Sequence, residues 1–185
     1  MKIIIMNSGI SYLRVGDEIP NYSADSQRGK LKLHDYITGH WFMLFSQPSD
    51  YDAVSATELG MVAKLKKEFE ARNIKVWCIN PDSIESHEGW IKDVEKTQGC
   101  QIEFPIISNR KSLFAERLGM SNNSKKNSLS RNSKSIIVTD PNRIIQLKMD
   151  YSLYVGRNFY EILRTIDALQ LVEYHKVCTP GNSLS

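Results

Sequence analysis

Several features that assign a chain to a class at first sight are missing from these 185 residues. There are three cysteines and no C-x-x-C spacing, which is not the pattern of a secreted disulfide framework. The four histidines show no metal-ligand spacing, so we interpret them as surface or capping residues and predict neither a metal nor another cofactor. No apolar run reaches about 18 residues, so no membrane-spanning helix is predicted.

The net charge and the N-terminal sequence restrict the possible partners and location of the protein. A net charge of +3 is too small to favour nucleic acid or an anionic membrane as partner. The opening MKIIIMNSG is shorter in its apolar part than a signal-peptide core of roughly 7–15 residues, so we expect a soluble, cytoplasmic protein. The length suits one domain over residues 11–172, with an extension at 1–10 and an arm at 173–185.

Hydrophobic periodicity predicts alternating strands and helices along the chain. The predicted strands are a small hairpin at 21–24 and 30–33, buried strands at 41–46 and 74–79, a short strand at 104–107 and a hairpin at 136–139 and 144–149. The predicted helices cover 54–72, 84–95, 110–118 and 158–171. This order indicates an α/β fold with a central mixed sheet and helices on both faces. Residues 121–135 are polar and are predicted to form a solvated loop.

The functional interpretation of the sequence depends on the stretch at 41–72. A buried strand ends in Ser46-Gln47-Pro48, and a short loop leads into the N-terminus of an amphipathic helix. A helix N-terminus gathers partial positive charge and lowers the pKa of a cysteine placed there. This chain carries Ser55 where that thiol is expected.

The chain resembles the one-cysteine peroxiredoxins of the peroxiredoxin-6 group over about residues 13–180. The segments that carry the resemblance are LRVGDEIPNYSAD at 13–25, LKLHDYI at 31–37, WFMLFSQPSDYDAVSATELG at 41–60, FEARNIKV at 69–76, PDSIESHEGWIKDVE at 81–95, FPII at 104–107, GRNFYEILRTIDALQL at 156–171 and KVCTP at 176–180. The resemblance implies a thioredoxin-like fold with an N-terminal hairpin, and homodimers that often pair edge strands. It also implies that the arm at 173–185 is a truncated form of the family's longer C-terminal region.

The family reduces hydroperoxides with one cysteine, which attacks the O–O bond and becomes a sulfenic acid. Its motif reads Pro-x-x-x-Thr-x-x-Cys, assisted by an arginine from a later strand. By resemblance, Pro48 matches the motif, while Asp52 stands at the threonine position and Ser55 at the cysteine position. Lys134 stands at the arginine position and Gln47 at that of a histidine often found before the proline. Two supporting residues are kept, Glu58 and Arg157.

These substitutions predict a catalytically degenerate member of an antioxidant family associated with cell redox homeostasis, acting as a non-catalytic or binding homologue. They also weigh against hydroperoxide binding. One alternative is residual thiol chemistry through another cysteine, such as Cys178 or Cys100. A second is a different enzyme that uses Ser55 as nucleophile with His34 or His40 as base, although no GxSxG or SxxK motif supports it.

Overall fold

The computed structural model describes residues 13–109, 113–120 and 133–181. The strands are β1 (Ser23–Ser26), β2 (Gly29–Lys32), β3 (Trp41–Ser46), β4 (Ile74–Asn80), β5 (Ile106–Ser108), β6 (Ser133–Thr139) and β7 (Ile145–Ser152). The helices are α1 (Leu33–Ile37), α2 (Ala53–Lys64), α3 (Lys66–Ala71), α4 (Ile84–Gln98), α5 (Leu113–Arg117) and α6 (Phe159–His175). The predicted sequence of strands and helices is therefore confirmed in its order.

One sheet joins the seven described strands in the order β2-β1-β5-β4-β3-β6-β7. β3, β4 and β5 run parallel, with Trp41 opposite Ile74 and Ser46 opposite Ile79. The remaining pairs are antiparallel, so the sheet is mixed, as predicted. All six residues of β3 are buried because this strand has neighbours on both edges and helices over both faces.

The alternation of side chains along β3 divides the core in two. Trp41, Met43 and Phe45 pack on the face covered by α2, α3, α4 and α6. Phe42 and Leu44 pack on the other face, which α1 and α5 cover. Helices on both faces of a mixed sheet confirm the predicted thioredoxin-like α/β architecture.

The prediction of one continuous helix over 54–72 is wrong. The helix is divided at Leu65, whose backbone (φ −85°, ψ 10°) leaves the helical region between α2 and α3. The Leu65 N–H still bonds to Met61 O, so the chain keeps its direction through the break. The Leu65 side chain is buried at this point and belongs to the core beneath α2 and α3.

The solvated loop predicted over 121–135 is wrong at its end, because Lys134 and Ser135 belong to β6 and are fully buried. Residues 121–132 lie outside the described part of the chain, as do the extension at 1–10 and positions 110–112 of a predicted helix. The predicted helix cap at Asn158 is confirmed, since its side chain accepts from the N–H groups of Tyr160 and Glu161. α6 continues to His175, three residues into the predicted arm.

Candidate functional site

The carboxyl end of β3 delivers the chain to the start of α2. Pro48 follows the last strand residues and has no N–H to continue a ladder, so the strand ends there. Asp52 is the N-cap of α2, and Ser55 lies in the first helical turn with no solvent exposure. The predicted placement of Ser55 at a helix N-terminus after a buried strand is therefore confirmed.

Asp52 binds Ser55 twice. One carboxylate oxygen accepts the Ser55 backbone N–H at 2.7 Å and the Ser55 hydroxyl at 2.7 Å. A carboxylate at this position is favourable because it meets both an unsatisfied N–H and the positive end of the helix dipole. The Ser55 N–H, one of the backbone donors that this helix turn could offer to an anion, is thus already bonded inside the chain.

One turn further along α2, Glu58 is the centre of a buried polar network. Its carboxylate accepts hydrogen bonds from Gln47 Nε2 at 3.1 Å and Lys134 Nζ at 2.9 Å. Arg157 supplies three more, from its backbone N–H at 2.8 Å, Nε at 3.2 Å and Nη2 at 2.7 Å. Burial alone raises the pKa of the Glu58 carboxyl, but the bonds and charge of Arg157, joined by Lys134, outweigh it and hold the pKa below its usual range.

Arg157 is fixed on every side. Its Nη1 donates to Ser135 O at 3.1 Å, and its guanidinium lies 5.4 Å from the ring centre of Phe45 and 5.8 Å from that of Phe159. Lys134 is also fully buried, opposite Tyr151 on β7. Two cations around one carboxylate make this network a structural tie between α2, β6 and the start of α6, with a net positive charge.

A second buried cluster fixes the loop before α2, and sequence reasoning missed it. Asp50 accepts from Asn80 Nδ2 at 2.6 Å and from His87 Nδ1, which lies 2.8 Å from Oδ2. Burial raises the pKa of Asp50, but hydrogen bonds from His87, Ser86 and Asn80 outweigh it and keep the pKa below its usual value. Since a carboxylate only accepts, Nδ1 carries the proton in this pair.

His87 corrects one prediction. It was expected at the surface or at a helix cap, but it is fully buried, and its Nε2 has no hydrogen-bond partner among the residues described. The block ESHEGWIKD at 85–93 gave no local signal for this pair, because Asp50 lies in the loop before α2, 37 residues away from His87 in sequence.

The other candidate nucleophiles and bases are not brought to Ser55. His34 and His40 lie at the amino end of β3, where His34 Nε2 is 2.8 Å from Ile19 O. Cys78 is buried in β4, and burial raises the pKa of its thiol far above the ordinary value. Burial also raises the pKa of the half-buried Cys100, while Cys178 is exposed beyond the end of α6. The hydroxyl of Ser55 has Asp52 as its partner and no histidine.

In the described ranges, no helix is both long and apolar enough to cross a lipid bilayer. The architecture is that of a thioredoxin-like α/β protein, and its candidate site lies at the helix N-terminus that follows the carboxyl end of β3.

Comparison with known proteins identifies the family. The AhpC/TSA family model matches residues 15–148. Peroxiredoxin-6 of Gallus gallus is 38% identical over 174 residues, which cover 91% of this chain and 78% of that protein. The chain therefore belongs to the AhpC/TSA family, in its one-cysteine, peroxiredoxin-6-like group.

Solved structures agree with this assignment. A 1-Cys peroxiredoxin of yeast mitochondria superposes with a TM-score of 0.86 at 37% identity, covering 93% of this chain and 83% of that one. A cysteine-to-serine mutant of the peroxiredoxin 6 of Arenicola marina superposes with a TM-score of 0.84 at 36% identity, covering 92% and 80%. The thioredoxin-like peroxiredoxin fold predicted by resemblance is thus confirmed.

Proposed function

We propose that this chain is a catalytically degenerate member of the peroxiredoxin-6-like antioxidant group, which keeps the fold and acts as a non-catalytic binding homologue. The observation that carries the proposal is the state of Ser55. Its hydroxyl and its backbone N–H are both bonded to the Asp52 carboxylate, and the residue is fully buried. The helix N-terminus that activates a thiol in this family holds no thiol here, and the N–H of the residue at that position is already bonded.

The chemistry of the family supports this. In the peroxidase reaction a thiolate attacks the O–O bond, sulfur is oxidised to a sulfenic acid and the peroxide is reduced to water or an alcohol. A serine oxygen cannot form a sulfenic acid. The pKa of a serine hydroxyl also lies far above the value of about 8.5 for a cysteine thiol. A helix dipole contributes only about 0.3–1 kcal/mol, under one pKa unit, so it cannot make Ser55 an anion.

The neighbours of Ser55 oppose an anion as well. Asp52 brings a negative charge to the place where a thiolate would have to form, and a like charge disfavours ionisation. Lys134 supplies charge without the planar fork of an arginine, and it is bonded to Glu58. Glu58 and Arg157 are explained by the structural tie that they form, so their presence is consistent with a protein that has lost its chemistry.

Peroxide consumption in the presence of dithiothreitol tests the proposal. We expect no turnover above background for the parent and for Ser55→Cys alone. We expect measurable turnover from the fourfold variant Gln47→His, Asp52→Thr, Ser55→Cys, Lys134→Arg, since the scaffold around the site is intact. Rapid turnover by the parent would contradict the proposal.

The alternative is residual thiol chemistry through Cys178, which one observation favours: it is the exposed cysteine among the three, so a peroxide can reach it. This alternative predicts a mass gain of one oxygen on Cys178 at low peroxide, followed by turnover that Cys178→Ser removes. Cys78→Ser is the matched control, because that thiol is buried and its pKa is raised. A parent protein without oxidation at Cys178 rejects it.

A homodimer in the cytoplasm completes the proposed function. The support lies in β7, an edge strand of the sheet, and in the side chains that follow it, where Tyr154 is 83% exposed and Val155 and Tyr160 are also exposed. Light scattering distinguishes a particle of twice the 21.2 kDa chain mass from a monomer. We expect the dimer, and expect the double variant Tyr154→Asp, Val155→Asp to weaken it.

A further inference from the structure

A cavity of about 410 Å³ lies beside the amino-terminal half of β4. Because β3 and β4 are parallel, this is the end of the sheet opposite to Ser55, which follows the carboxyl end of β3. The cavity exists because β4 has seven residues and β5 has three. β5 pairs only with Cys78 to Asn80, so the first half of β4 has no strand beside it on that edge.

The hydrogen bonds around β4 show which backbone groups face the cavity. Residues 73 and 79 accept from the β3 side, through Trp41 N–H and Gln47 N–H, so odd-numbered residues direct their backbone groups toward β3. Cys78 N–H bonds to Pro105 O on the opposite side. The even-numbered Ile74 and Val76 therefore direct their N–H and C=O groups toward the cavity.

These groups lack a strand partner in the described part of the chain. Val76 O receives one long contact of 3.5 Å from the Tyr36 hydroxyl. An unpaired strand edge is a template for an added strand, because main-chain N–H and C=O groups are strong, obligatory hydrogen-bonding groups. Ile74 and Val76 are two residues apart, about 6.6 Å along a strand, which is the repeat of an extended peptide.

The two sides of the cavity differ in chemistry. On the side of α2 and α3, Val62 and Phe69 form a buried apolar base, with Lys66 and Glu70 above it. On the opposite wall the Lys75 ammonium lies 5.7 Å from the centre of the Tyr36 ring, and Arg28 closes the cavity from the turn between β1 and β2. An extended peptide with alternating apolar and acidic side chains matches these two walls.

The charges at the rim favour an acidic ligand. Two glutamates line the cavity, and Lys66, 2.6 Å from Glu103 and 3.6 Å from Glu70, balances one of their two negative charges. Arg28 interacts electrostatically with Glu103, and Lys75 lies over the Tyr36 ring. Three cations, Arg28, Lys66 and Lys75, face two glutamates in the lining, so the cavity has a net positive charge beside an open backbone edge.

We propose that this cavity is a docking site for a short acidic peptide in extended conformation, which adds a strand to the free edge of β4. The peptide backbone pairs with Ile74 and Val76, its apolar side chains lie against Val62 and Phe69, and its carboxylates face Arg28 and Lys75. The proposal goes beyond the proposed function, since it concerns the opposite end of the sheet and holds whether or not Ser55 is inactive.

The probe is the peptide acetyl-Val-Asp-Val-Asp-Val-amide, titrated into the 15N-labelled full chain and followed by amide chemical shifts. We expect the largest shifts at the amides of Ile74 and Val76. The counterpart with asparagine in place of aspartate should bind about tenfold more weakly. Absence of shifts at Ile74 and Val76, or equal affinity for the two peptides, would overturn the proposal.

Two controls separate strand addition from non-specific attraction. A probe that is N-methylated at alternate amides keeps its charge but cannot pair with a strand edge, so we expect it not to bind. The double variant Arg28→Gln, Lys75→Gln should lose about tenfold in affinity, whereas Lys30→Gln, an exposed lysine of β2 outside the cavity, should lose none. The proposal would be contradicted if the methylated probe bound as tightly as the unmethylated one. It would also be contradicted if Lys30→Gln lost as much affinity as the double variant Arg28→Gln, Lys75→Gln.

Discussion

The two ends of the central sheet differ in how their polar groups are used. At the carboxyl end of β3, Ser55 is bonded to Asp52, and Glu58 takes hydrogen bonds from Gln47, Lys134 and Arg157. At the amino end of β4, backbone groups and three cations border an open cavity. At the end where this family does its chemistry, the polar side chains are bonded to one another. At the opposite end, backbone groups and charged side chains border a cavity.

In the proposed function, the network around Glu58 joins elements of the fold and is not a working site. Glu58 and Arg157 fit the family pattern, but every contact that they make here ties one element of the fold to another. Binding requires groups whose partners are still missing in the free protein, because a buried group that is already bonded has little to gain from a ligand.

The largest loss of stability is expected from a substitution of Glu58. Glu58→Gln keeps the shape of the side chain but leaves Lys134 and Arg157 buried without a counter-charge. Removing one partner of a buried ion pair costs about 3–5 kcal/mol, so the free energy of unfolding in urea should fall by that amount. The matched control is Glu161→Gln, which removes an exposed pair with Arg164 and should change stability far less. Equal losses in both variants would show that the Glu58 network is not a structural tie.

Acid should weaken the same network. The pKa of Glu58 is held below its ordinary value of 4.5, so its contribution to stability is complete above that pH and is lost as the pH falls through the lower folded value. Asp50 has a pKa shifted in the same direction. Urea midpoints measured from pH 7 to pH 3 should therefore fall more steeply for the parent than for Glu58→Gln. Parallel curves would contradict the assignment of the acid sensitivity to Glu58.

A smaller effect is expected at the start of α2. Asp52→Ala removes the N-cap and should lower the free energy of unfolding by about 1 kcal/mol, while Asp52→Asn keeps a capping oxygen and should stay within a few tenths. Ser83→Ala, which removes the cap of α4, provides a comparison at a helix away from Ser55. Chemical denaturation of the three variants checks the order. If Asp52→Ala left the free energy of unfolding unchanged, the Asp52 carboxylate would not stabilise the N-terminus of this helix.

The smallest effect is expected at the open end. Tyr36→Phe removes only a hydroxyl whose contact with Val76 O is 3.5 Å long, so the free energy of unfolding should change by less than about 0.5 kcal/mol. The same change leaves Val76 O free for a peptide, and the affinity for the acidic probe should rise or stay equal. A marked loss of stability would show that the edge of β4 is already satisfied by Tyr36.

Much of the fold could be predicted from local patterns. The buried run of β3 and the caps at Ser83 and Asn158 follow from residue types whose preferences act over a few positions. The start of β6 was predicted as loop because Lys134 and Ser135 are polar. Their burial depends on partners far away in sequence, Glu58 for Lys134 and Ser46 for Ser135.

The candidate site was predicted in its positions but not in its contacts. Pattern matching placed Ser55 after β3, yet it did not show that Asp52 bonds to both its N–H and its hydroxyl. The pair of Asp50 and His87 was missed because it joins a loop to a helix 37 residues away. The cavity was also missed, since it arises from the unequal lengths of β4 and β5, and the strand predicted over 104–107 begins at Ile106.

In the proposed function, Asp52 prevents the start of α2 from stabilising a thiolate, and the pKa of a cysteine placed at position 55 tests this role. The measurement is the pH dependence of thiol alkylation in Ser55→Cys and in Ser55→Cys, Asp52→Thr, both in a background with Cys78, Cys100 and Cys178 replaced by serine. We expect the first thiol to titrate at or above about 8.5, the ordinary cysteine value, and the second to titrate lower. A thiol pKa well below that value with Asp52 still in place would contradict the account.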